Sequence, residues 1–292
     1  MVARKRYWAW LFLSLPFCLY SLVVVGPTIY SFYFSLTDSS LLKSTHNFIG
    51  LENFRNLAKD SDFWQAFLNT TVWTIAGVLV SLILGFILAL GLSKVKRFDR
   101  IIKSIFFLPL ALSLVVVGFI WFWIYRNDFG LVNLVLRGIG RDNLTRDWLA
   151  DPKTALFSVI IAWAWQQVSL SMIIFLAGLT AVPAELMEAA QMDGAKWRTQ
   201  VRHVVIPSLA PAINVVISLA LINALKTFDI VYVMTQGGPF GKTRTLSVLS
   251  YREAFKSYNF GYSSAIAVVL FIVTVAIIGG FMFLSKRGGS DD

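Results

Sequence analysis

Six stretches of this chain carry no Asp, Glu, Lys or Arg. They lie between Arg6 and Asp38, Asp62 and Lys94, Lys103 and Arg126, Lys153 and Glu185, Arg202 and Lys226, and Lys256 and Lys286. Each is long enough to cross a hydrocarbon core ~30 Å thick, which takes about 20 helical residues. A helix packed on a water-soluble core shows a polar face at every turn, and these stretches do not. In lipid, backbone polar groups have no water to bond, so they must be satisfied within the element. The chain therefore reads as an all-α integral membrane protein with six transmembrane helices. Charge content agrees: 14% of the 292 residues are charged, against about a quarter in soluble domains.

The spans are expected near 8–34, 67–92, 104–125, 155–179, 209–234 and 261–284, with Gly26-Pro27 a kink in the first and Pro109 inside the third. The first run follows Arg4-Lys5-Arg6 but is too long for a cleaved leader and has no small-x-small site. A single cysteine, Cys18, excludes an intramolecular disulfide. The net charge of +10 sits at helix ends rather than on a soluble basic face, which argues against nucleic acid. An even number of spans puts both termini on one side. The short turn holding Lys94, Lys96, Arg97, Arg100 and Lys103 makes that side the cytoplasm. The loop 181–207 is then cytoplasmic, and three loops of nearly thirty residues each face outward.

Nothing here reads as an active site. Gly241-Lys242-Thr243 imitates the end of a phosphate-binding loop, but Gln236 stands where the leading glycine belongs and Pro239 removes an amide. His46 and His203 are the only histidines, there is no cysteine cluster, and no Gly-x-Ser-x-Gly turn occurs. No catalytic or metal-ligating residue and no cofactor bound by this chain is expected.

The loop 181–207 is the positive feature. Pro183, Glu185 and Glu188 suit the start of a helix that continues through Ala189, Ala190 and Met192. Asp193-Gly194 then permits a turn, a basic helix restarts after Ala195, and Pro207 leads into the fifth span. On these residues alone the loop is either a docking surface or a hairpin with no partner. The spacing Glu188-Ala189-Ala190, three residues, Gly194, nine residues, Val204, then Ile206-Pro207 resembles the EAA pattern of binding-protein-dependent ABC importer permeases. That pattern is EAA-x3-G-x9-I-x-L-P, and this chain departs from it by Val204 for Ile and Ile206 for Leu. Phe107-Leu108-Pro109, Gly130-Leu131-Val132-Asn133, Phe228-Asp229-Ile230-Val231 and Thr235-Gln236-Gly237-Gly238-Pro239 look like its carbohydrate-uptake, maltose-permease-like branch.

The resemblance implies a type I ABC importer permease fold, with residues 1–292 a single permease domain in a bacterial or archaeal inner membrane. It implies that Glu185, Glu188, Ala189, Ala190, Asp193, Gly194 and Pro207 form a coupling surface for the ATPase. The implied partners are a second homologous permease subunit, two cytoplasmic ATPase subunits that hold ATP and Mg, and an external binding protein that delivers a sugar-like solute. Glycerol phosphate or another polyol, and an ion-gradient-driven transporter, are the alternatives.

A solute site should lie near mid-membrane and offer polar groups with aromatic faces. Trp163, Gln167, Leu170 and Ser171 lie three or four apart on the fourth span, and Asn223 and Thr227 four apart on the fifth. Ser113 adds a weaker candidate. By resemblance to maltose-type permeases these two spans supply the solute contacts, with Trp163, Gln167, Ser171, Asn223 and Thr227 the candidates. Polar groups that merely join helices are the competing reading. Lys226 and Asp229, three apart, are expected to form an intramembrane pair, with direct solute contact the alternative.

Overall fold

Lipid as solvent shapes this chain more than any local propensity. The computed structural model describes residues 12–40, 42, 46–94 and 99–287. Arg4, Lys5 and Arg6, and residues 95–98 of the basic turn, lie outside the described residues. The helices are α1 (Phe12–Phe34), α2 (Glu52–Lys59), α3 (Ser61–Leu92), α4 (Asp99–Ala111), α5 (Leu114–Ile124), α6 (Leu131–Gly138) and α7 (Ala155–Thr180). They continue as α8 (Ala184–Met192), α9 (Trp197–Ser208), α10 (Ala210–Leu225), α11 (Asp229–Thr235), α12 (Leu246–Phe255) and α13 (Phe260–Arg287).

Among the described residues, α1, α3, α7 and α13 are each long and apolar enough to span a bilayer. Two bent pairs, α4 with α5 and α9 with α10, bring the number of spans up to six. The third expected span is thus not one helix. α4 stops at Ala111, α5 starts at Leu114, and their axes differ by 102°. Pro109 weakens the end of α4 by removing a donor, and the Ser113 hydroxyl caps α5 by accepting from Val116 N at 3.3 Å. The fifth expected span also differs. α10 ends at Leu225, and the helix resumes at Asp229 as α11. No glycine or proline marks that break. It is held from outside, where Thr245 Oγ1 donates to the Thr227 carbonyl at 3.2 Å.

Ahead of Pro27 and of Pro207 the chain makes one π-turn, at Ser21–Val25 and Val201–Val205. The wider i→i+5 bonding accommodates the missing amide donor nearby.

Backbone contacts divide the chain into two units. The first is Met1–Phe63 with Leu249–Ile272. In it Asn53, buried, donates to the carbonyls of Ser35 at 2.8 Å and Thr37 at 2.9 Å, which fixes the chain just past α1. Gly261 N donates to Ser39 O at 2.8 Å, and the Tyr262 hydroxyl donates to Asp60 at 2.5 Å.

The second unit, Trp64–Val248 with Val273–Asp292, is built around α7. Gly77, Ser81 and Gly85 recur every fourth residue on α3 and form a flat strip against α7. A β-carbon at Gly77 would fall 2.5 Å from Trp163 Cζ3, and one at Gly85 would fall 2.5 Å from Ser171 Cβ. The opposite side of α3 exposes Ile75, Leu79, Ile83 and Ile87, the large side chains that suit lipid. Two apolar clusters pack on α7. One surrounds Trp73, Val159 and Trp163, the other Ala89, Met172 and Phe175. Between them α7 carries Gln166, Gln167, Ser169 and Ser171, all buried.

Close approach at Gly85 makes it intolerant of a single methyl. Gly85→Ala is expected to cost about 1–3 kcal/mol through overpacking. Gly91→Ala on the same helix, where a β-carbon meets nothing within 4 Å, is expected to cost nothing. Thermal unfolding of the two detergent-solubilised variants checks this.

Candidate functional site

The loop that follows α7 is short, rigid and acidic on its free face. α8 opens at Pro183 with Glu185 in its first turn. It closes when Asp193 N reaches Ala189 O and Ala195 N reaches Ala190 O, each at 3.0 Å. Gly194 sits between them at φ +73°, a left-handed conformation that a side chain resists. The buried Gln200 side chain donates to Ala195 O at 2.7 Å and holds the turn against α9. Lys94 Nζ lies 3.4 Å from the centre of the Trp197 ring, a cation–π contact that ties α9 to the end of α3. Glu185, Glu188, Ala189 and Met192 share one exposed face at helical spacing, and Met192 is 88% exposed. Glu185, Glu188 and Asp193 form no salt bridge among the described residues. Met187, on the other side, packs into the cluster around Phe175.

A cavity of about 540 Å³ opens at the middle of α7. Gln167 lies 12 residues from Ala155 and 13 from Thr180, so it is about 20 Å from either end of the helix. Both helix breaks meet here. Leu110 and Leu114 flank the first, and Lys226, Thr227, Phe228 and Asp229 form the second. The Asn223 amide donates to Gln167 Oε1 at 3.3 Å, and the Thr227 hydroxyl to the Asn223 carbonyl at 2.8 Å. The stacked Phe228 and Tyr232 rings, 5.1 Å apart, place an aromatic surface at the rim.

Residues 77–287 match the family of binding-protein-dependent transport system inner membrane components. The chain belongs to that family. It is 35% identical over 279 residues to a probable ABC transporter permease protein of Pyrococcus horikoshii, covering 95% of each chain. It is 32% identical over 291 residues to the xylose/arabinose import permease protein XacH of Haloferax volcanii, covering 99% of this chain and 90% of that one. Its fold matches a subunit of a bacterial alginate ABC transporter, solved with an alginate pentasaccharide-bound periplasmic protein. That match has a TM-score of 0.85 and 22% identity, over 98% of this chain and 96% of the other. The permease therefore has the type I ABC importer permease fold, and it is an inner-membrane component.

Of the solute candidates, the permease brings Gln167, Asn223 and Thr227 to one cavity. Trp163 and Ser171 do not line it. They fill the seam with α3 opposite Gly77 and Gly85, and the Trp163 indole N–H is buried without a partner. Spacing of three and four places residues on one stripe of α7, but that stripe lies at the edge between two neighbours. Lys226 and Asp229 line the cavity and are exposed, and among the described residues they make no ion pair. Lys226 ends α10 and Asp229 starts α11, so the i, i+3 geometry of a continuous helix is lost. Ser113 serves as a helix cap rather than a cavity group.

One residue of the site had no special mark in the sequence. Gln166 Nε2 donates to Leu112 O at 2.5 Å and to Pro109 O at 3.2 Å, carbonyls at the end of α4 of which the second also accepts from Leu112 N at 3.3 Å. Replacement by an isosteric apolar chain, Gln166→Met, leaves the Leu112 carbonyl bare and the Pro109 carbonyl with only the 3.3 Å bond from Leu112 N. The expected loss is about 1–3 kcal/mol per unsatisfied group, read as a lowered unfolding temperature of the solubilised permease.

Proposed function

We propose that this permease imports a sugar or short oligosaccharide handed over by an external solute-binding protein, powered by ATP hydrolysed on partner subunits. The observation that carries the reading is the mid-membrane cavity where two broken helices meet. Irregular backbone at membrane depth persists only where it is buried in protein or lines a water-filled cavity, and transporter sites use such breaks. The amide and hydroxyl groups of Gln167, Asn223 and Thr227 suit a sugar's rim, and Phe228 suits its C–H face. Lys226 and Asp229 contribute one charge of each sign, so the cavity carries no formal net charge. That favours an uncharged solute over glycerol phosphate. The import of xylose and arabinose named for the Haloferax relative supports the same class.

In this reading residues 1–292 act as one permease domain with both termini and the loop 181–207 in the cytoplasm. A second homologous subunit completes the path, and two ATPase subunits carry ATP and Mg. The exposed Glu185, Glu188 and Asp193, which form no salt bridge among the described residues, seat with the low-bulk Ala189 in a basic cleft of an ATPase. Gly194 sets the angle of α8, and Pro207 fixes the course of α9 into α10. Closure of the ATPases draws the two coupling helices together and opens the path outward. Docking of the loaded binding protein in turn favours ATPase closure, because coupling between sites is reciprocal.

Two measurements test this. Glu188→Lys should leave the permease in the membrane yet lower ATP-dependent uptake about tenfold or more, since reversing a desolvated interface charge costs about 2–5 kcal/mol. Full uptake by that variant removes the coupling role. Neutral sugars, added with the binding protein, should stimulate ATP hydrolysis by the assembled complex. Stimulation by glycerol 3-phosphate alone would overturn the sugar assignment.

A further inference from the structure

Asn133 is completely buried and uses its whole side chain. Its Nδ2 donates to Arg146 O at 2.9 Å, Asn127 Oδ1 at 3.2 Å and Asn127 O at 3.3 Å. Its Oδ1 accepts from Trp148 Nε1 at 2.8 Å and Arg146 N at 3.4 Å. Arg137 adds bonds to the carbonyls of Asn127 at 3.2 Å and Asp128 at 3.3 Å. A surface loop held this tightly is pre-organised for something, because hub amides of this kind fix neighbouring groups at the cost of their own freedom.

What it fixes is one wall of a second cavity, about 460 Å³ in volume, at the end of α7 away from α8. Phe122 and Tyr125 come from the end of α5, Asp147 and Ala150 from the approach to α7, and Met234 and Thr235 from the end of α11. Tyr125 is anchored by its hydroxyl to Ser158 O at 3.1 Å. Ser158 lies nine residues before Gln167 on α7, so the two cavities are separated by about 13 Å along the helix. Between them α5 and α11 are in tight contact: a β-carbon at Gly118 would stand 3.2 Å from Val233 Cγ1, and Val117, Ile230 and Val231 are buried. The second cavity is therefore a separate chamber.

Its rim chemistry is that of hydroxyl recognition. Arg126 and Asn127 can donate, and Asp128, Asp147 and Thr235 can accept. Arg126 pairs with Asp128 at 3.2 Å. Asp147 spends Oδ1 on Ala150 N at 3.3 Å, and its second oxygen has no partner among the described residues. One guanidinium against two carboxylates leaves one formal negative charge, which repels acidic solutes. Phe122 and Met234 offer apolar surface beside these groups. We infer that this chamber is a second, outer solute subsite for an uncharged polyhydroxylated ligand, filled before the mid-membrane cavity. The inference rests on the carbohydrate reading above.

The test uses the complete importer in proteoliposomes, with Cys18→Ser removing the native thiol and Ala150→Cys placing a reporter on the exposed chamber wall. A membrane-impermeant thiol reagent is applied with xylose, maltotriose or glucuronate, in the absence of the binding protein. A neutral sugar at about four times its dissociation constant should slow modification about fivefold, by simple occupancy. Glucuronate should not, and Asp147→Asn in the same background should remove the protection. Sugars that stimulate ATP hydrolysis with the binding protein, yet leave the reporter unprotected without it, would overturn the subsite and keep the sugar reading. Protection conferred by the binding protein alone would make the chamber a docking contact and equally overturn it. If no sugar produces either effect, the carbohydrate reading falls together with the subsite.

Discussion

A helix that stops inside hydrocarbon leaves its last carbonyls without donors, at a cost on the order of several kcal/mol for each bare group. Gln166 meets that condition by placing one amide between the carbonyls of Pro109 and Leu112. Without it the 102° turn from α4 to α5 would have no reason to persist beside α7. With it, α5 is redirected to pack on α11, and the space vacated at the corner becomes the wall of the central cavity. The second break depends on the same logic from the other side, since Thr245 serves the Thr227 carbonyl where α10 ends. The cavity is therefore the product of two satisfied helix ends brought to the same level of α7.

Small residues decide which side of α7 can be open. Gly77, Ser81 and Gly85 let α3 approach until Trp163 and Ser171 are sealed. Sequestering one face in this way leaves Gln167 and Leu170 to the other. In lipid this division cannot come from hydrophobicity, because both faces are apolar enough. It comes from the side-chain volume that the neighbouring backbone allows.

The apolar spanning helices and the acidic helix of the loop were legible because each is a local property: freedom from charge, or capping and helix-forming residues in a row. Pro109 and Ser113 contained the first break, though placing Pro109 inside one continuous span missed a right-angle turn. The break at Lys226–Phe228 was not legible, since its cause lies 18 residues away at Thr245. Periodicity grouped Asn223 with Thr227, and Gln167 with Trp163 and Ser171, but could not show that only Gln167 of the second group lines the cavity with the first. A stripe along a helix says nothing of which neighbour occupies it. Asn133 looked like any loop asparagine, because its role exists only through Asn127, Arg146 and Trp148.

The geometry of the loop 181–207 also relates a push on that loop to the cavity. α8 and α9 are held between two long helices, following the last residue of α7 and leading directly into α10. From those junctions, Gln167 is 13 residues back along α7 and Asn223 is 13 residues forward from Ala210 along α10. At 1.5 Å per residue each lever is about 20 Å long. The ends of the two levers touch through the Asn223–Gln167 hydrogen bond, which at 3.3 Å is long and easily given up. Beyond that contact α10 is interrupted, so motion of its end is not carried rigidly into α11. On the proposed reading, a shift of the coupling loop is resolved at the place where the solute sits, between an amide on one lever and an amide on the other. On the same reading, equal levers let the loop act on both walls of the cavity at once, and the break after Leu225 ends the second lever at that level.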